Sequence, residues 1–150
     1  MNHELMNSTK RIKALTNAAI TADTDGANID LRHAQGCLVV VNVGVSAGPA
    51  DATNYWTLVL KEADDDGTGA PSTYAAVAEA DIVGAISGTT TGAFALINDA
   101  AEDDAIYSAA YIGRKPWLRL TCDATLSPGS TPIGAIAILY PLRDSTFATS

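Results

Sequence analysis

The chain is poor in the side chains on which most catalytic and metal chemistry rests. It has two cysteines and two histidines in 150 residues. Two cysteines do not make a disulfide-stapled scaffold. Cys37 and Cys122 each sit in a strand-like run among Val or Leu neighbours, the setting of small buried hydrophobes. A Ser or Cys nucleophile needs a base within hydrogen-bond reach. The histidines offered for that work are His3, near the start, and His33, in a turn beside Arg32, and no G-x-S-x-G elbow is present. Basic residues are also scarce, nine Lys and Arg against 17 Asp and Glu, for a net charge of −8. Such a balance cannot line a surface that follows phosphates, so no nucleic-acid partner is expected. The acidic excess suits solubility, or docking on a basic protein surface. Long apolar runs are missing too. The longest fall short of a membrane span and are interrupted by Gly, so no membrane partner is expected. No apolar segment follows MNHELMNSTKRIKAL in the manner of a signal peptide, so synthesis in the cytoplasm is expected.

Other chemistries fare no better. The dense carboxylates are Asp64-Asp65-Asp66 and Glu102-Asp103-Asp104. A calcium loop places its ligands at alternate positions and closes with a bidentate Glu. Three consecutive Asp splay apart, so these segments read as solvated turns and no metal or cofactor is expected. Gly67-Thr68-Gly69 and Ser87-Gly88-Thr89 lack the Lys and the helix of a phosphate cradle. Aromatic platforms for sugars would have to come from Trp56, Tyr107 or Trp117, scattered along strands.

What is present is a succession of short β-strands. Residues 1–15 are polar with a Lys10, Arg11, Lys13 cluster, and read as an N-terminal arm ahead of one domain over 16–150. Asn28 to Arg32 alternates polar and apolar. Gly36 to Ser46 places Cys37, Val39, Val41, Val43 and Val45 on one face, with Leu38 and Val40 on the other. Tyr55 to Ala63 directs Trp56, Leu58 and Leu60 one way. Ser72 to Gly84 is ambiguous, a turn or short strand ending at Asp81-Ile82-Val83-Gly84. Residues 86–92 read as a loop, Ala93 to Asn98 as a strand, 99–104 as an acidic turn, and Ala105 to Gly113 as a strand. Leu118 to Ala124 alternates. Ile133 to Tyr140 is apolar almost throughout, as in a strand covered on both faces or on one face plus a partner. The Ser127-Pro128-Gly129-Ser130 turn between these two suggests a hairpin. The core is expected at Val39, Val41, Val43, Trp56, Leu58, Leu60, Leu118, Leu120, Ile136 and Ile138. About eight short strands at regular spacing are the pattern of a β-sandwich or barrel.

Three segments carry a resemblance. They are Ile29-Asp30-Leu31-Arg32 with Gly36 to Gly44; Trp56 to Gly67 followed by Val77 and Asp81 to Gly84; and Tyr111-Ile112-Gly113 through Pro116 to Leu120, on to Pro141-Leu142-Arg143. Over roughly residues 27–144 the chain resembles the small virion proteins of tailed bacteriophages, of the capsid cement or head-decoration type. It departs from them in the Pro-rich turn Leu126 to Pro132 and in the Asp-rich turn after Ala63. The resemblance implies an all-β, jelly-roll-like β-sandwich with an N-terminal arm. It also implies a non-enzymatic role, as a homotrimer on the outer surface of the virion head, bound to the major capsid protein across capsomer junctions. The alternatives are a tail, neck or head-fibre component, or a carbohydrate-binding β-sandwich. Arg11, Lys13, Arg32, Arg114, Lys115 and Trp117 are the expected contacts with the shell, being cations and an aromatic of the kinds that anchor interfaces.

Overall fold

The structure is a computed structural model that describes residues 8–48, 50–88 and 90–142. His3, the first seven residues of the expected arm and the expected tail lie outside the described residues. The long strands are β1 (Lys10–Ile20), β4 (Ala34–Val43), β5 (Tyr55–Ala63), β8 (Ala93–Ile97), β9 (Ala105–Tyr111), β10 (Trp117–Thr125) and β11 (Thr131–Leu142). Short pieces fill the gaps: β2 (Thr24–Asp25), β3 (Ile29–Asp30), β6 (Ala75–Ala76) and β7 (Ile82–Val83), with one 3-10 turn at Glu79–Asp81. The ambiguous stretch 72–84 thus resolves into two short strands and that turn. β2 and β3 form one broken strand along β10. At the break, Gly26 N–H donates to Leu120 O while Ala27 N–H donates to Ala14 O of β1. The chain there changes hydrogen-bond partner from one sheet to the other.

Two antiparallel sheets result. Sheet A runs β1-β11-β4-β9-β7; sheet B runs from the broken strand through β10 to β5, which pairs on its far side with β6 and β8. With the broken strand β2/β3 counted as one, the main strands alternate between the sheets along the chain except at β5 and β8. The orders β1-β11-β4-β9 and β2/β3-β10-β5-β8 are those of a two-Greek-key jelly roll. The fold is therefore an all-β sandwich of jelly-roll type.

Three expectations need correction. First, Lys10 to Leu15 is not a separate arm but the start of β1, paired with β11 from Lys10↔Leu139 onward. The polar run reads as an arm because this edge strand turns its cations to solvent, a common protection of sheet edges. Second, β10 and β11 are not a hairpin. β10 pairs with β5, and β11 with β1 and β4. Leu118, Leu120 and Cys122 of β10 face Ile133, Ala135, Ala137 and Leu139 of β11 across the interior. Strands opposed across a core cannot also be edge neighbours, so the connection over Leu126–Ser130 crosses the top of the sandwich. Third, the alternation of β11 runs opposite to expectation: Ile133, Ala135, Ala137 and Leu139 point inward, whereas Ile136 is 44% exposed and Ile138 half-buried. The other eight expected core residues are buried. An unbroken apolar run carries no parity signal, and parity there is set by the neighbouring strands.

Two polar clasps join the sheets near opposite ends of β5. The Trp56 indole N–H donates to Thr131 Oγ1 at 2.9 Å, and Tyr111 O–H donates to Glu62 Oε2 at 2.6 Å. Both aromatic rings are fully buried, and each satisfies its polar atom across the interior. Cys37 and Cys122 are buried free thiols, as the sequence leads one to expect, and they lie in different sheets.

Candidate binding surfaces

The six residues expected to make contacts fall into two groups. Arg32, Arg114, Lys115 and Trp117 meet at one end of the sandwich, where the β3–β4 turn approaches the β9–β10 loop. A cleft of about 800 Å³ opens there, with Leu31, Ala34 and Tyr111 among its walls and Arg32, Gln35, Arg114 and Lys115 adding polar groups. Arg32 grips Asp30 through Nε at 2.9 Å and Nη2 at 2.6 Å, reaches Asp65 at 3.6 Å, and lies 5.0 Å from the Trp117 ring centre. The Arg32 hydrogen bond holds the Asp30 carboxyl below its ordinary pKa. Lys115 pairs with Asp64, which raises the lysine pKa, and its backbone N–H donates to Tyr111 Oη at 3.0 Å. Arg114 is exposed. Trp117 is only 8% exposed, so it lies beneath Arg32 rather than out on the surface. Two of the three cations around this cleft are thus held by their own carboxylates. Exposed pairs of this kind are worth about 0–1 kcal/mol; here they orient the loop.

Arg11 and Lys13 lie elsewhere, on the edge of sheet A. Register places Lys13, Ile136, Val40 and Ser108 in one row across the sheet. Arg11, Ile138, Leu38, Ala110 and Val83 form the next row, and Gly134, Asn42 and Ile106 a third. These rows are the outer face of sheet A. Ile106 is 71% exposed and Val83 60%, so with Ile136 they make an apolar surface. β11 turns Ala135 and Ala137 to the core and Ile136 and Ile138 outward, so that in the middle of the strand the larger side chains are outside. A half-buried strand normally does the reverse. A shallow groove of about 360 Å³ crosses this face between Lys13, Val40, Ile106 and Ile136.

Charge is sorted between the sheets. The five strands of sheet A contain no Asp or Glu, and their charged residues are Lys10, Arg11 and Lys13. Sheet B carries Asp25, Asp30, Glu62 and Asp123 in its strands, and the remaining described carboxylates sit in loops and turns. The signal for the outer face exists in the sequence as the doubly apolar run of β11. Ile106 and Val83 carry no such signal, because their rows form only when β9 and β7 join the sheet.

The acidic turns have local explanations. Asp65 Oδ1 accepts from the backbone N–H of Gly67 and Gly69, and Asp66 Oδ1 from Thr68 N–H and Oγ1–H. The Thr68 hydroxyl bond leads in lowering the Asp66 pKa. These carboxylates hold their own loop in Asx turns. Among the described residues, no group of three or more His, Cys, Asp or Glu is placed to hold a metal ion. No helix among them is long and apolar enough to cross a membrane. The aromatics of the sugar-binding alternative form no exposed platform. Trp56 and Trp117 are buried, and half-buried Tyr107 donates its hydroxyl to Glu102 O.

No protein-family model matches the chain, and no curated protein matches it in sequence. Among solved structures it is similar to the SPBc2 prophage-derived protein YomS, at 10% identity and a TM-score of 0.36 over 87% of this chain and 92% of that one. It is also similar to the VP2 subviral particle of infectious bursal disease virus, at 13% identity and a TM-score of 0.41 over 95% of this chain. There the chain spans about a third (34%) of the VP2 chain. The fold thus resembles proteins of prophage and viral origin.

Proposed function

We propose that this chain is a non-enzymatic virion component of a tailed bacteriophage, a decoration or cement protein that attaches to the outer surface of the head through the outer face of sheet A. The observation that carries the reading is the middle of β11, with Ala135 and Ala137 inside and Ile136 and Ile138 outside. Apolar area on a rigid module favours association when a partner covers it, at about 25 cal/mol per Å² of apolar surface removed from water. The sequence resemblance to head-decoration proteins supplies the kind of partner, the major capsid protein. A protein bound across capsomer junctions stabilises whichever shell state it binds more tightly, which is how cementing works physically. In this reading Arg11 and Lys13 border the contact, while Arg32, Arg114 and Lys115 serve the end loops.

The test is co-sedimentation with purified expanded heads that lack this protein, together with its mass in solution by light scattering. Wild type is expected to bind stoichiometrically and to raise the heat resistance of the heads; a trimeric mass would fit the oligomer expected from the resemblance. Ile136→Glu is expected to lose at least ten-fold in affinity while remaining folded. Binding to tails rather than heads, or undiminished head binding by both Ile136→Glu and Ile106→Glu, would overturn the reading.

A further inference from the structure

The decoration reading leaves open what chemistry covers the outer face of sheet A. We infer that the groove between Lys13, Val40, Ile106 and Ile136 receives a large apolar side chain from an extended partner segment that carries carboxylates beside it. This deepens, and rests on, the decoration reading.

Three features of the face point to such a segment, and the first is shape. Gly134 lies along the groove because the β1 bulge presses onto it: a Cβ there would stand 2.7 Å from Asn17 Cβ. The bulge and the flanking Ile106 and Ile136 leave a shallow trough of about 360 Å³. That is near the low end for small-molecule sites, and an open trough cannot enclose most of a free ligand. A side chain delivered by a backbone that stays outside suits it better. The second is sign. No carboxylate occurs in any strand of sheet A, in a chain with 17 Asp and Glu, and Lys13 lines the groove with Arg11 in the next row. A partner with Asp or Glu next to its apolar anchor meets complementary charge, whereas a basic one meets repulsion. The third concerns a second copy lying face to face. The strands of each copy's face carry cations and no carboxylate, which disfavours an isologous pairing. The chain's overall acidity points to a basic partner; the face itself points to an acidic one, because the carboxylates lie elsewhere.

The test uses a random heptapeptide library displayed on yeast, selected on the immobilised full chain and counter-selected on its Ile136→Glu variant. Enriched peptides are expected to combine Phe, Trp, Leu or Ile with at least two carboxylates. Selection on Lys13→Glu should shift the enriched charges toward Lys and Arg. Circular dichroism and thermal melts establish that each variant is folded, and Ile106→Glu is the second counter-selection should Ile136→Glu not be. Neutral or basic peptides on wild type, enrichment indifferent to both Ile variants, or no enrichment at all would overturn the inference. So would sedimentation showing a wild-type oligomer that Ile136→Glu dissociates, because the face would then belong to a second copy. If the peptide result fails while Ile136→Glu still abolishes head binding, the decoration reading stands and only the acidic chemistry falls.

Discussion

At the scale of single residues, the buried thiols make a measurable claim. Burial pushes Cys37 and Cys122 up to about 12 from an ordinary value near 9. Below about pH 9 both states keep these protons, and the thiols do not bias folding. Above it the unfolded chain releases them while the folded chain holds them until about pH 12. The unfolded state then binds fewer protons, so stability falls as pH rises. The expected slope is about 1.4 kcal/mol per pH unit for each thiol once its unfolded form is mostly ionised. Tyr111 adds to the loss at still higher pH, its hydroxyl raised by burial first and by donating to Glu62 second. Urea titrations of wild type at pH 8, 9 and 10 should show this decline. A Cys37→Ala/Cys122→Ala double variant should start less stable, from two small cavities, and show a much shallower decline. Equal declines in the two proteins would mean that the thiols are not held protonated by the fold.

At the scale of elements, the passage from β10 to β11 decides the topology. Leu126 has φ 55° and Gly129 has φ 83°, both left-handed, and a Cβ on Gly129 would stand 2.8 Å from Gly48 N and 2.9 Å from Gly48 Cα. The turn therefore packs against the loop that follows β4 and lifts the chain from sheet B to sheet A. Gly129→Ala should cost about 2 kcal/mol or more, through the left-handed conformation and the backbone contact together, read as a lowered urea midpoint with an unchanged slope. Loss of less than about 0.5 kcal/mol would mean the turn can relax away from Gly48. The same turn shows where sequence reasoning ends. Strand positions are legible because Val39, Val41 and Val43, or Trp56, Leu58 and Leu60, alternate with their neighbours, and Tyr55 to Ala63 matches β5 end to end. Pairing is not legible, since a Pro-Gly turn of this length serves a hairpin or a crossover, and the choice depends on which partner edges are already taken. β5 adds a second blur: Thr57 and Val59 are buried as well as Trp56 and Leu58, so its polar–apolar pattern understates how fully it is covered.

At the scale of the whole molecule, the net charge of −8 hides a separation that matters more than its total. The candidate surface was half legible for this reason. Arg11 and Lys13 stand out in a chain of few cations, but that they border an apolar face emerges only when β1 pairs with β11. An acidic protein that presents a carboxylate-free sheet to an acidic partner feels two opposed fields. At about 0.01 M salt the Debye length is about 30 Å, so the net charge of the molecule reaches the partner and slows approach. At about 0.15 M it is about 8 Å, and only charges near the contact count, Arg11 and Lys13 among them. At about 1 M even these are screened. The association rate with heads, followed by light scattering after rapid mixing, is therefore expected to pass through a maximum at intermediate salt. Replacing both cations, Arg11→Glu/Lys13→Glu, should flatten that maximum and lower the rate near 0.1 M by about ten-fold, with a smaller change in dissociation, as for charges at an interface rim. Ile136→Glu should act chiefly on dissociation, as for an apolar contact near an interface centre. A rate that falls steadily from the lowest salt would mean that the whole molecule, not its basic edge, meets an oppositely charged shell, and the carboxylates of sheet B would then be the surface that docks.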